Sequence, residues 1–242
     1  MDLKETVVKI DNEINKKIDK KKVLIFNYAT SVCAFLYFLI YTIQVKRVNV
    51  RVVGEAGSVV GFADINQFFY DHITFNKFFY TISEICGYLA ILVMGFFAFI
   101  GALMLFRGKS LKKVDYKIYL IGAGYVVMLG FYMFFEKLVV NYRPIIVPGE
   151  EALEASYPSS HTFLAIFVFM TACILLPVYI RKKKYAKIAS ICCVVLMVVG
   201  ILTRFLSGAH WFTDIVGSLL LGSALVSLFS SVLNTFRYKK GY

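Results

Sequence analysis

Six apolar stretches decide what this chain can become: residues 23–44, 79–106, 118–136, 162–180, 188–206 and 213–235. Each comes close to or exceeds the ~20 residues a helix needs to cross the hydrocarbon of a bilayer. Lipid offers no partner for backbone N–H and C=O groups, so each stretch must satisfy its own as a continuous helix. The expected fold class is therefore all-α, a polytopic membrane helix bundle with six transmembrane helices. Composition agrees: 59% of the 242 residues are hydrophobic, against about 45–50% in an ordinary soluble domain.

The net charge is +12, and a basic balance can serve either nucleic acid or an anionic membrane surface. Position decides. The tail 1–22, the connections 107–117 and 181–187 and the tail 237–242 carry 20 Lys and Arg, and the alternate segments carry seven. Basic residues stay on the cytoplasmic side, so both termini are expected in the cytoplasm, with no nucleic-acid partner. The membrane domain is expected over 23–236. Leu3, Val7, Ile10, Ile14 and Ile18 repeat at helical spacing among lysines, which suits either a basic amphipathic helix on the inner leaflet or a solvated tail. The outer segment 45–78 is rich in Phe and Tyr, as interfacial segments are, and a short interfacial helix is expected there. The five cysteines lie inside apolar stretches without paired spacing, so neither a disulfide framework nor a zinc site is expected.

Polar residues that gather next to spans are costly and mark function. Three clusters lie on the outer side. The last runs from Arg204 through Gly208 and His210 to Asp214. His210 and Asp214 are four residues apart and share a face if the sixth helix begins there. A carboxylate so placed can accept from one ring nitrogen and leave the other free to attack. Arg204 supplies a planar cation suited to phosphate. The middle cluster, Tyr157-Pro158-Ser159-Ser160-His161, puts hydroxyls and N–H groups at a helix start, where an anion is favoured. The first cluster is Glu136-Lys137 followed by Asn141, Tyr142, Arg143 and Pro144. His72, the remaining histidine, reads as an interfacial polar residue.

Together the clusters resemble the type 2 phosphatidic acid phosphatase superfamily, which is related to vanadium haloperoxidases. The motifs of that family run KxxxxxxRP, PSGH and SRxxxxxHxxxD. Here Arg143-Pro144 stands for the first, Pro158-Ser159-Ser160-His161 for the second, and Thr203-Arg204 with His210 and Asp214 for the third. Thr203 replaces the leading serine of the third motif, and two further positions depart. The lysine position of the family holds Glu136, with Lys137 one residue on, a rotation of about 100° on a helix. The glycine of the second motif is Ser160.

The resemblance implies a lipid phosphate or polyprenyl pyrophosphate phosphatase of the cell membrane, with its active site on the extracytoplasmic side. His210 would be the nucleophile, Asp214 its orienting carboxylate and His161 the general acid and base. Arg143, Arg204, Ser159, Ser160 and Lys137 would hold the phosphate oxygens. No metal or cofactor is expected, since the arginines supply the positive charge and no carboxylate cluster suited to Mg²⁺ stands out. A membrane lipid is the expected substrate, because its tail can stay in the bilayer while its headgroup reaches the site. Two other readings stay open: a lipid phosphotransferase with the same site, and a non-catalytic protein that binds or transports a lipid phosphate. Against the transporter stands the lack of an acidic relay inside the spans.

Overall fold

The computed structural model describes residues 3–239. Six of its helices are long and apolar enough to cross a membrane. Helix α1 (Leu3–Arg47) joins the basic tail to the first span as one rod. A hairpin follows, β1 (Arg51–Val53) and β2 (Ser58–Val60), then α2 (Ala63–His72) and α3 (Lys77–Gly108). A 3-10 turn (Leu111–Lys113) leads to α4 (Tyr116–Lys137), α5 (Ser160–Tyr179), α6 (Lys183–Leu206) and α7 (Phe212–Lys239). N-cap side chains set two of the starts. Asn76 accepts from the N–H groups of Phe78 and Phe79 at 3.0 and 3.3 Å, and Asp115 accepts from that of Lys117 at 3.0 Å. These caps satisfy donors that the helix itself leaves open.

Helices α5 and α7 form the centre. Over the most apolar window of each span, 56% of α5 and 50% of α7 is buried, against 11% of α1 and of α3. The outer helices thus turn most of their apolar surface to lipid, and α5 packs against α6 and α7 while α1 lies along α7. Phe38, Phe97, Phe167, Phe169, Leu175 and Leu221 belong to the shared core. Close approach depends on small residues, as it does between membrane helices generally. Gly217 on α7 lies flat against the Tyr157 ring, where any side chain would overlap it.

The start of the first span and the end of the last lie together at one end of the bundle. Tyr28 near the start of the first span hydrogen-bonds Thr235 near the end of the last at 2.9 Å. The hairpin, α2 and the 141–159 connection gather at the opposite end. There Ser58 donates to the Arg143 carbonyl at 2.6 Å and Trp211 Nε1 donates to that of Tyr142 at 2.7 Å.

Within 45–78 the expected short helix is α2, and the hairpin before it is an addition the aromatic pattern did not signal. Its register pairs Arg51 with Val60 and Val53 with Ser58. Gly54 and Gly57 turn the chain at φ 76° and 67°, values that cost L side chains dearly. Asn66 of α2 is fully buried and caps α7. Its Oδ1 accepts from the Thr213 N–H at 3.2 Å while its Nδ2 donates to Thr213 Oγ1 at 3.0 Å. Phe69 stacks on Phe212 at 4.6 Å between ring centres. Segment 45–78 therefore fixes where α7 begins.

Candidate active site

The turn between α6 and α7 brings Arg204 and His210 to the same place. Ser207 donates to the Arg204 carbonyl at 2.6 Å, and Gly208 adopts φ 67°. The backbone of Thr74 lies so near that a Cβ at Gly208 would stand 3.0 Å from it. Asn76 N–H closes the contact by donating to the Ser207 carbonyl at 3.0 Å.

Asp214, in the first turn of α7, is buried and accepts from the N–H of Trp211 at 2.9 Å. A carboxylate reaching back to the N-cap amide is the acidic half of a capping box. Asn141 donates to its other oxygen at 3.1 Å, and the Ser156 hydroxyl donates to Oδ2. The direct bond from His210 to Asp214 that the spacing suggested is not formed: Nδ1 stands 3.5 Å from Oδ2, beyond a sound hydrogen bond. Ser156 intervenes. Nδ1 lies 3.1 Å from its carbonyl oxygen and 3.2 Å from its hydroxyl. A carbonyl can only accept, so Nδ1 carries the proton and Nε2 keeps its lone pair. Burial, reinforced by the charges of Arg204 and Arg143, holds the pKa of His210 well below the ordinary histidine value. The ring is a neutral base with one bare nitrogen.

Arg143 pairs through Nη2 with Glu154 at 2.9 Å. Arg204, fully buried, donates from Nη1 to Glu84 at 2.8 Å and to Ser83 at 3.3 Å. His161 Nε2 meets the other oxygen of Glu84 at 3.2 Å. Among the described residues, nine buried side-chain nitrogens and oxygens lack a protein partner. Six of them belong to four residues: Nε and Nη1 of Arg143, Nε and Nη2 of Arg204, Nδ1 of His161 and Nε2 of His210. Buried polar atoms without partners are rare. The free Nε–Nη2 edge of Arg204 suits two oxygens of a phosphate, and the free Nε and Nη1 of Arg143 offer single donors beside it.

The other expected contacts differ in position. Ser160 opens α5 and lines the same pocket as His210 and Ser156. The Ser159 hydroxyl is fully buried and donates to Thr162 at 3.1 Å, while its N–H donates to the Asp214 carbonyl at 3.3 Å, tying the start of α5 to that of α7. Lys137 is exposed at the end of α4, and Glu136 lines the pocket. His72 is exposed at the end of α2, with Nδ1 2.7 Å from the Phe68 carbonyl.

Sequence reasoning missed Ser156, Glu84 and Glu154. Ser156 has no spacing signal, since its role comes from a loop folded over α7. Glu84 had one: it is the single charged residue in the stretch 79–106. Its side chain is half-buried, 25% exposed, near the start of α3.

Fold and site together define a six-span membrane protein whose polar end holds two imidazoles between two partly bonded guanidinium groups. The chain belongs to the PAP2 superfamily, whose family model matches residues 28–238. Among solved structures it is similar to a transmembrane PAP2-type phosphatidylglycerolphosphate phosphatase from Bacillus subtilis, with a TM-score of 0.58 and 20% identity over 83% of this chain and 94% of that one. No curated protein matches it.

Proposed function

We propose that this protein is a membrane phosphatase that hydrolyses a lipid phosphate ester or polyprenyl pyrophosphate at the outer membrane face, through a phosphohistidine on His210. The observation that carries the reading is the bare, buried Nε2 of His210, fixed from behind by Ser156 and placed among unpaired guanidinium donors. The Lys and Arg distribution supports a site on the extracytoplasmic side.

In the first step the Nε2 lone pair attacks phosphorus in line. The bond from phosphorus to the leaving oxygen breaks, and its electron pair departs with that oxygen. Protonated His161 gives the oxygen a proton and becomes neutral. In the second step neutral His161 takes a proton from water as the water oxygen attacks phosphorus. The phosphorus–nitrogen bond breaks, and its pair returns to Nε2. Arg143 and Arg204 hold the equatorial oxygens, and Ser160 at the start of α5 contributes its backbone N–H. This preorganised charge is the largest share of the catalysis; removing one such donor typically costs about 10²–10³ in rate. Ser156 and Asp214 stabilise the positive ring as phosphohistidine forms. Lys137, at the helix end, is the outermost phosphate contact. The reaction as written uses no metal.

The similar Bacillus subtilis protein makes phosphatidylglycerol phosphate a natural member of the substrate panel, beside phosphatidic acid and a polyprenyl pyrophosphate. The test is phosphate release from these lipids in detergent with EDTA present, comparing wild type with His210→Ala. Turnover should survive the chelator and vanish in the variant. A requirement for a divalent ion, or activity that persists in His210→Ala, would sink the mechanism.

A further inference from the structure

Four residues of α3 face the site at helical spacing: Tyr80, Ser83, Glu84 and Gly87. None belongs to the three motifs. The Arg204 guanidinium lies over the Tyr80 ring, 5.0 Å from its centre. Its Nη1 donates to Ser83 at 3.3 Å and to Glu84 Oε1 at 2.8 Å. Glu84 Oε2 lies 3.2 Å from His161 Nε2. Gly87, three residues further along, bears the same ring edge. A Cβ there would stand 2.9 Å from Cδ2 and 3.3 Å from Nε2 of His161. One helix face thus seats both the arginine and the second histidine.

On the footing of the phosphatase reading above, we infer that Glu84 is the positioning residue for both of these groups: it takes the Nε2–H of His161, so that Nδ1 is the nitrogen that trades protons with the substrate, and it turns Arg204 so that the Nε–Nη2 edge meets phosphate. A carboxylate paired to a guanidinium can only accept. Nε2 of His161 therefore keeps its proton in both charge states of the ring, and the mobile proton belongs to Nδ1, which has no protein partner. The two rings of the site stand in opposite tautomers. His210 holds its proton on Nδ1 against the Ser156 carbonyl and offers Nε2; His161 holds its proton on Nε2 against Glu84 and offers Nδ1.

Charge makes the carboxylate necessary. The groups that face His161 are Glu84 from α3, Arg204 from α6 and Arg143 from the 141–159 connection, with His210 ahead of α7. Without Glu84, the imidazolium that must protonate the leaving oxygen would face the charges of Arg204 and Arg143 with no protein anion beside it. In the first step the Nδ1–H bond of that imidazolium breaks, the leaving oxygen gains the proton, and the ring keeps its Nε2–H toward Glu84.

The test uses the full chain in detergent micelles, labelled with ¹⁵N-histidine and carrying His72→Gln so that two rings remain. Wild-type His161 should show a protonated Nε2 in its neutral form. In Glu84→Gln the amide oxygen stays with Arg204 and the NH₂ group donates to the ring, so His161 should switch to the Nδ1–H form. The kinetic arm compares an alkyl phosphate, whose alkoxide needs a proton, with a nitrophenyl phosphate, whose phenolate does not. Glu84→Gln should lower kcat on the alkyl ester by about 10²-fold, the scale of general acid catalysis, with KM nearly unchanged. The nitrophenyl ester should lose far less, and Glu84→Asp should restore part of the alkyl rate. A bare Nε2 in the wild type would overturn the inference, as would equal losses on both esters. A wild type that cleaves neither ester would instead overturn the phosphatase reading, while the spectrum would still decide what Glu84 does to the ring.

Discussion

His210 is chemically useful because its two nitrogens have been made unlike. The Ser156 carbonyl accepts a hydrogen bond from Nδ1–H, and burial beside Arg204 and Arg143 keeps the ring neutral. Since the pKa is depressed, the attacking form persists as pH falls and is lost only below the ordinary histidine value of about 6.5. The acid limb of kcat/KM that reports this ring should therefore lie below pH ~6.5. A limb at or above that value, beyond what ionisation of the substrate phosphate explains, would contradict the assignment. Ser156→Ala removes the hydroxyl that joins His210 to Asp214 but keeps the carbonyl. It should lower kcat about 10-fold or more with little change in KM, because it acts on charge that appears only after attack. Arg204→Lys should cost about 10²–10³ in kcat/KM, the worth of an oxyanion donor, since an ammonium cannot present a flat two-nitrogen edge; steady-state kinetics on one lipid phosphate measures both. Of the residues proposed to carry this chemistry, His161, His210, Asp214, Arg143 and Arg204 were singled out from the sequence. Each sits at a fixed distance from a span end and in a short motif. Ser156 and Glu84 were not singled out, because their partners lie 54 to 120 residues away, and no local spacing encodes such a meeting.

Helices position these groups by their ends and faces. The starts of α5 and α7 are tied by Ser159 and Asp214, and α3 turns Tyr80, Ser83 and Glu84 toward the site from the same helix that buries Ala90 and Phe97 in the core. The six spans could be read almost directly from hydropathy, since a bilayer permits few other solutions. The β1–β2 hairpin could not: its strands are three residues each, and its pairing is set by two glycine turns and by packing on Trp211 through Val53 and Val60. Gly217→Ala tests a helix-to-loop contact that the site depends on. The new methyl overlaps the Tyr157 ring, and Tyr157 is joined to the loop bearing Ser156. Overpacking of this kind costs roughly 1–3 kcal/mol; thermal unfolding in detergent should fall accordingly, and activity should fall with it. Asn66→Ala should loosen the start of α7 by about 1 kcal/mol, the usual worth of a helix cap, read in the same assay.

The bundle as a whole separates a basic end, where the first span starts and the last one finishes, from an end that carries the site. Counting lysines and arginines predicted which end faces the cytoplasm. Cysteine labelling can test it in intact cells with a membrane-impermeant maleimide, in a chain whose five native cysteines are replaced by serine. Val52→Cys in the hairpin should react from outside, and Leu111→Cys between α3 and α4 should react only after lysis. The reverse pattern would place the site in the cytoplasm.

Two of the central helices begin at the same spot and run away from it. The amide ends of α5 and α7 therefore add their positive poles to those of Arg143 and Arg204, which makes a field that reaches beyond contact distance. A dianionic headgroup drifting along the leaflet should be drawn in before it touches a side chain. Capture should then weaken as ions crowd the surface: kcat/KM for a soluble short-chain phosphate should drop with added salt while kcat holds steady, since screening acts on the approach and leaves the dry interior untouched.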